Sequence, residues 1–255
     1  MTWVRRREST TMPRHHRIEE ASNRTDTCNI VIVGETGVGK SSLVNLITTT
    51  QTAPTSPDSM GCTTEPTVYE HDVMTQNNTV KVQLFDTAGL DDGSEGTVPA
   101  MQAQKDLKTL LKTLKKNRGI HLLIYCVRGT RDVTVLQRNY KLMHSNVKGK
   151  VPIVLVVTGL EDREPDMESW WRNNTTSILN LGMNFAGHAC ITALTIDPAD
   201  ADKLRRRREQ SYDAVCSLIE QHCPQNIGTP RVTTIRPARF VLSSQISVTL
   251  YAAEP

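Results

Sequence analysis

Residues 30–47 place an apolar run, a glycine-rich loop and a helix-like segment in immediate succession, and this order constrains the fold more than any other feature of the chain. The run IVIV enters GETGVGKS, which has the pattern G-x-x-x-x-G-K-S, and SLVNLI follows at once. Between a strand and a helix, such glycines allow backbone N–H groups to converge on a phosphate, and the positive end of the helix dipole faces the same anion. The pattern therefore predicts a phosphate-binding loop (P-loop) for a nucleotide; a glycine-rich turn without a ligand is the alternative.

The residues of this loop have distinct expected roles. We expect the Lys40 ammonium to reach the β- and γ-phosphates, which makes it a candidate catalytic group, and the Ser41 hydroxyl to ligate Mg²⁺. The nucleotide-binding residues predicted here are Gly34, Glu35, Thr36, Gly37, Val38, Gly39, Lys40, Ser41 and Ser42.

A second motif, DTAG at residues 86–89, ends a strand-like run. A carboxylate at Asp86 can hold Mg²⁺ through water, and the backbone N–H of Gly89 can sense a γ-phosphate. Because the motif accompanies a P-loop, we predict Asp86 as a metal residue and Gly89 as a nucleotide-binding residue.

Strand-like and helix-like segments alternate along the chain, which favours an α/β fold. We predict a three-layer P-loop NTPase sheet, mainly parallel with one antiparallel strand from a hairpin, and helices on both faces. The predicted strands are 29–33, 67–73, 80–85, 120–127, 151–157 and 189–194, and the predicted helices are 40–49, 99–117, 132–145, 167–179 and 205–223. In the fourth helix, Trp170 and Trp171 are expected to be packing residues.

The length of 255 residues suits one domain of about 200 residues with tails. We predict a disordered basic arm at 1–27, a domain at 28–223, and a tail at 224–255 that is either disordered or contains an added edge strand at 240–251.

The net charge of +3 does not favour nucleic-acid binding. The arginine runs 5–7 and 205–208 are expected to be solvated, with a phosphate- or lipid-facing patch as the alternative.

No apolar run approaches the roughly 20 residues that cross a bilayer, so no transmembrane segment is predicted, and peripheral membrane contact stays open.

The six cysteines form no C-x-x-C pair and several lie in apolar runs. We therefore predict reduced, mostly buried thiols in a cytoplasmic protein. They are Cys28, Cys62, Cys126, Cys190, Cys216 and Cys223.

With both motifs in place, the chain resembles the translation-factor-related class of P-loop GTPases. Within that class it is most similar to the septin-like and immunity-associated branch, in particular to little-characterised fungal G-domain proteins. The stretches that carry the resemblance are GETGVGKSSLVNLI, GCTTEPT, LFDTAGLDDGSEGT, LLIYCVRG, VPIVLVVTGLED and HACITA. The resemblance implies a G domain that binds GTP or GDP with Mg²⁺.

The resemblance also assigns residues outside the two main motifs. Thr63 is implied to close onto Mg²⁺ and the γ-phosphate, as both a metal and a catalytic residue, with Thr64 as the alternative. The backbone N–H of Ala193, in Ile191-Thr192-Ala193, is implied to meet guanine O6.

The base-reading segment departs from the family pattern N/T-K-x-D. Thr158 fits the first position and Glu161 would be the carboxylate that pairs with guanine, with Asp162 as the alternative if the loop shifts by one residue. Gly159 replaces the lysine, so the aliphatic stem that normally stacks on the base is missing. We expect a preference for guanine, and relaxed base selection is the alternative.

Leu90 stands where Ras-like proteins have the glutamine that positions the attacking water, so we expect slow hydrolysis. Candidates for the missing group are the loop residues Asp91, Asp92, Ser94 and Glu95, or Arg128 and Arg131 acting across a dimer. The resemblance implies a homodimer through the nucleotide face.

Two functions follow: a slow GTPase switch, or a scaffold that holds GTP or GDP without hydrolysis. A P-loop kinase that uses ATP is disfavoured, because no acceptor-binding lid is recognisable.

Overall fold

The structure is a computed structural model that describes residues 27–51, 53, 66–75, 79–90, 98–117, 119–195 and 202–223. The predicted tail, nearly all of the predicted arm, Thr63 with its neighbours, and the loop residues 91–97 lie outside this described part of the chain.

The described residues form six strands and five helices. The strands are β1 (Cys28–Val33), β2 (Thr67–Met74), β3 (Thr79–Asp86), β4 (Leu122–Arg128), β5 (Ile153–Thr158) and β6 (Gly187–Cys190). The helices are α1 (Lys40–Thr48), α2 (Val98–Asn117), α3 (Val133–Val147), α4 (Ser169–Asn180) and α5 (Asp202–His222).

The strands form one sheet in the order β2-β3-β1-β4-β5-β6. β2 pairs antiparallel with β3, and every other pair is parallel. The predicted fold is confirmed. Since the chain passes from β1 to β3 on one side and later to β4 on the other, β1 ends where the direction of winding reverses, and ligands of open α/β sheets bind at such a point.

The core has two layers, one on each face of the sheet. One layer packs Leu111 of α2, Met143 of α3 and Ile178 of α4 against the strands. The other packs Leu43 of α1 and Ile219 of α5. The central strands are buried on both faces, which explains why they are almost uninterrupted apolar runs.

The last strand is shorter than the sequence predicts. Its ladder ends with Val157 opposite Cys190, and Ile191 then donates one backbone hydrogen bond to Val157 before the chain leaves the sheet. Ile191 is fully buried, so its apolar character indicates the core and not a strand. The packing role of the tryptophans is confirmed: Trp170 Nε1 donates to the Gly129 carbonyl at 2.8 Å, and Trp171 stacks on His188.

The prediction of reduced cysteines is wrong for two residues. Cys28 and Cys223 form a disulfide with their Cα atoms 5.7 Å apart, although they are 195 residues apart in sequence. The fold brings the start of β1 beside the end of α5, and cysteine spacing alone cannot reveal such a pairing.

The other cysteines in the described part of the chain, Cys126, Cys190 and Cys216, are free and buried. Burial raises the pKa of Cys126 and of Cys190 to about 12 and that of Cys216 to about 11, so these thiols stay protonated. None of the helices in the described part of the chain combines the length and the hydrophobicity that a bilayer span requires.

We expect Cys223→Ser to lower the free energy of unfolding by about 2–4 kcal/mol, because the disulfide closes a long loop of the unfolded chain. Urea denaturation without reductant measures the difference. In dithiothreitol, wild type and variant should have nearly the same stability. Peptide mapping without reduction that recovers Cys28 and Cys223 as free thiols would contradict the disulfide.

Candidate nucleotide-binding site

The P-loop lies directly against the end of β4, and its glycines make this possible. A Cβ at Gly34 would overlap the carbonyl oxygen of Cys126. Gly37 and Gly39 have φ angles of 74° and 92°, a region that favours glycine. Gly39 is also the N-cap of α1, and its carbonyl accepts the hydrogen bond from Leu43 N at 2.8 Å. The loop therefore leads into the positive end of α1, as predicted.

Lys40 is 7% exposed, and its ammonium lies inside the P-loop. Nζ donates to the carbonyl of Glu35 at 2.8 Å. Burial lowers the pKa of Lys40, and the nearby carboxylates of Asp86 and Glu35 oppose that shift. A buried ammonium needs anionic partners, and a bound phosphate would supply them.

Ser41 and Asp86, the two predicted metal residues on described elements, are in direct contact. Ser41 Oγ donates to Asp86 Oδ2 at 2.8 Å, while Asp86 Oδ1 is buried and has no hydrogen-bond partner in the described part of the chain. Burial raises the pKa of Asp86, opposed by the Ser41 hydrogen bond and by Lys40. A hydroxyl beside a carboxylate is a set of oxygen donors that suits Mg²⁺, and the unpaired Oδ1 fits a metal-bound water.

Gly89 lies on the P-loop, where a Cβ would overlap Thr36 Oγ1. The next residue, Leu90, donates its N–H to the Gly34 carbonyl at 2.9 Å. The side chain of Leu90 is 1% exposed and belongs to the core. The predicted nucleotide-binding residues Thr36 and Gly89 are thus brought together, and Leu90 offers no group that could orient water.

Glu35 is a predicted nucleotide-binding residue whose side chain the protein itself engages. Its Oε2 lies 3.3 Å from Nε of Arg131, and Oε1 accepts from Asn139 Nδ2 at 3.5 Å. The carbonyl of Glu35 meanwhile accepts from Lys40. The side chain of Glu35 therefore helps to fix the loop, and nucleotide binding by Glu35 stays a prediction.

The base-reading loop is tied to the P-loop through Thr158. Its Oγ1 donates to the carbonyl of Val38 at 2.6 Å. Leu160 is 3% exposed and packs against Gly129, so this residue points into the core. With Thr158 and Leu160 fixed, the next carboxylate along the loop is Glu161, which supports the unshifted alignment.

Glu161 and Asp162 differ in surroundings. Glu161 is half-buried, and its Oε2 is fully buried with no hydrogen-bond partner among the described residues. Asp162 is exposed. A buried, unpaired carboxylate oxygen is costly, and a ligand that donates hydrogen bonds would offset that cost.

Arg207 is a residue of this site that the sequence did not reveal. The expectation that the whole arginine run is solvated is wrong here, because Arg207 is 7% exposed. Its guanidinium donates to the carbonyls of Leu160 and Glu161 at 3.2 and 2.6 Å, which braces the base-reading loop. The helical spacing of Arg207 with the buried Ser211 and Val215 is the signal that could have found it.

The last predicted base contact lies on the loop after β6. Thr192 is fully buried, and its N–H is held by Ser211 Oγ at 3.0 Å, which leaves Ala193 half-buried at the surface of the loop. A cavity of about 220 Å³ joins Ala193 to Ser42 of α1. Its lining consists of Ser42, Asn45, Thr49, Thr50, Gln51, Ala193, Thr195 and Arg208. The structure thus places Asp86, Gly89 and Thr158 in contact with the P-loop or the start of α1, and Ala193 on a cavity that Ser42 also lines. Thr63 lies outside the described part of the chain.

Comparison with known families agrees with this arrangement. A family model described as 50S ribosome-binding GTPase matches residues 29–159, just over half of the chain. The chain belongs to this GTPase family. No curated protein matches the sequence at a significant level.

Solved structures show the same fold as this chain. Toc33 from Arabidopsis thaliana, in a dimerisation-deficient mutant, is 18% identical with a TM-score of 0.55, and the match covers 77% of this chain and 86% of Toc33. Toc33 in complex with GDP and Mg²⁺ is 19% identical with a TM-score of 0.54, covering 78% and 86%. Era from Aquifex aeolicus, bound to GDP and AlF₄⁻, is 16% identical with a TM-score of 0.54, covering 78% of this chain and 57% of Era.

We expect Asp86→Asn to raise the free energy of unfolding of the nucleotide-free protein at pH 7. The pKa of Asp86 is raised in the folded state, so ionisation destabilises the fold above that pKa. The penalty vanishes once pH falls below the unfolded pKa of about 3.9, so the gain should shrink towards zero near pH 4. Urea denaturation between pH 4 and pH 7 in Mg²⁺-free buffer measures it.

The control is Asp162→Asn, which neutralises an exposed carboxylate and should change stability by less than about 0.5 kcal/mol. A loss of stability for Asp86→Asn at pH 7 would show that the charged carboxylate stabilises the fold.

Proposed function

We propose that this protein binds GTP and GDP with Mg²⁺ and hydrolyses GTP slowly to GDP and phosphate. The observation that carries the proposal is the cluster of Lys40, Ser41 and Asp86, in which the ammonium of Lys40 and the carboxylate of Asp86 are buried and Ser41 donates a hydrogen bond to that carboxylate. The six sequence stretches quoted above support the finer placement in the septin-like and immunity-associated branch, near fungal G-domain proteins. A cytoplasmic location is part of the proposal; the buried free thiols support it, and the disulfide is evidence against it.

Phosphate binding rests on charges and donors that are already oriented. The P-loop N–H groups and the Lys40 ammonium would hold the β- and γ-phosphates, and Ser41 with Asp86 would hold Mg²⁺. When bound, Mg²⁺ neutralises part of the phosphate charge. Because Lys40 and its loop are fixed by packing, little reorganisation is needed when charge develops on the phosphate oxygens.

Guanine selection would depend on Glu161 and Ala193. Guanine presents N1–H and a 2-amino group, which can donate to the carboxylate of Glu161, while adenine lacks the N1–H donor. The N–H of Ala193 would donate to guanine O6. Arg207 donates a hydrogen bond to the Glu161 carbonyl and so fixes the base-reading loop.

Slow turnover follows from Leu90. Hydrolysis of GTP requires an oriented water, and a buried leucine cannot accept a hydrogen bond from it. We propose that Thr63 closes onto Mg²⁺ and the γ-phosphate, and that a second copy of the chain supplies the missing group across the nucleotide face. Dimerisation is described as important for the GTPase activity of atToc33 and psToc159, chloroplast translocon components with a related solved structure.

The second candidate function is a scaffold that holds GTP or GDP and does not hydrolyse it. The burial of Leu90 favours this function, while the complete P-loop and Asp86 favour the GTPase.

We expect wild-type protein to release phosphate from GTP over many turnovers, and Lys40→Ala to lower the rate at least about 100-fold, because the P-loop ammonium is lost. A continuous phosphate-release assay under excess GTP measures both rates. Lys150→Ala, an exposed lysine far along the chain, is the control and should keep the wild-type rate. If wild type binds GTP but releases no phosphate above background, the scaffold function replaces the GTPase.

A further inference from the structure

The missing lysine of the base-reading loop leaves a space that another side chain fills. Gly159 has a φ of 74°, which side-chain-bearing residues rarely adopt. A Cβ built on Gly159 would lie 3.4 Å from Cγ and 3.5 Å from Nε of Arg128. The Arg128 side chain therefore lies along Gly159 where the side chain of residue 159 would begin.

The position of Arg128 follows from the sheet. Arg128 is the last residue of β4 and stands opposite Thr158, the last residue of β5, in the parallel ladder. Thr158 turns its hydroxyl to the P-loop, and Gly159 follows it directly. A long side chain from β4 can thus reach across the neighbouring strand end onto the base-reading loop, two residues before Glu161.

Nothing in the described part of the chain engages the Arg128 guanidinium in a hydrogen bond or an ion pair. Arg128 is exposed, and its observed contact is the packing on Gly159. A guanidinium is planar and weakly hydrated, and it stacks on aromatic rings, including the faces of nucleobases.

We propose that Arg128 forms one wall of the base pocket, where its stem and guanidinium cover the face of the guanine ring. The inference rests on the proposed guanine site, because Glu161 and Ala193 define the edge of the base that Arg128 would cover. The position of Arg128 then requires glycine at residue 159. A side chain at residue 159 would be strained by the positive φ and would compete with Arg128 for the same space.

This role differs from that of an arginine that acts across a dimer. A guanidinium stacked on the base of its own subunit affects nucleotide affinity in the monomer. An arginine that reaches the phosphates of a second copy affects only the dimer. Protein concentration therefore separates the two roles.

The test is calorimetric titration of GDP with Mg²⁺ into wild type, Arg128→Ala and Arg128→Lys, at concentrations where sedimentation shows a monomer. We expect Arg128→Ala to bind GDP about 5- to 30-fold more weakly. Arg128→Lys should recover most of the affinity, because its methylene stem can cover the ring. Pyrophosphate, which has no base, should bind wild type and Arg128→Ala equally.

Two controls exclude a general effect on the fold. Arg172→Ala removes an exposed arginine of α4 and should leave the Kd for GDP unchanged. The melting temperature of nucleotide-free Arg128→Ala should equal that of wild type, since the side chain is exposed.

Three results would overturn the inference. They are an unchanged Kd for GDP in the Arg128→Ala monomer, an equal loss for GDP and pyrophosphate, or a loss that occurs only at dimer concentrations. A wild-type protein that fails to bind GDP would instead refute the guanine site itself, and this result is distinct from the other three.

Discussion

The close approach of the P-loop to the neighbouring strand ends is the contact on which the rest of the site depends. Gly34 lets the loop touch the Cys126 carbonyl at the end of β4, and Gly89 brings the end of β3 onto Thr36. From the other side, Thr158 ties the end of β5 to the Val38 carbonyl. Three strand ends are therefore fixed relative to one loop, and a different part of the proposed nucleotide site lies at each of them.

This arrangement places charged groups in the protein interior, which lowers the stability of the nucleotide-free fold. Lys40 and Asp86 are almost fully buried. Burial is the main cause that lowers the pKa of Lys40 and raises the pKa of Asp86, and both shifts favour the neutral form of the side chain. Glu161 adds a buried carboxylate oxygen without a partner in the described residues. Phosphate, Mg²⁺ and guanine would each meet one of these groups, so binding would recover free energy that the empty fold lacks.

The sequence predicts those parts of the fold and site whose chemistry is local along the chain. The P-loop and DTAG motifs each place their chemistry within a few residues, and the buried strands are continuous apolar runs, so both could be recognised. The Cys28–Cys223 bond, the support of Glu161 by Arg207, and the packing of Arg128 on Gly159 could not. Each depends on segments that are distant in sequence and meet only in the folded protein. In the sequence, a run of arginines that is fully exposed cannot be distinguished from a run in which one arginine is buried.

The measurement that tests the central claim most directly is a calorimetric titration with GDP and ADP, with and without Mg²⁺, on wild type, Glu161→Ala and Asp162→Ala. We predict that wild type binds GDP at least about 100-fold more tightly than ADP, because a site built to accept hydrogen bonds rejects a base that lacks the donors. Glu161→Ala should lose this preference, and Asp162→Ala should keep it. Equal affinity of wild type for GDP and ADP would contradict guanine selection and leave a general P-loop nucleotide binder.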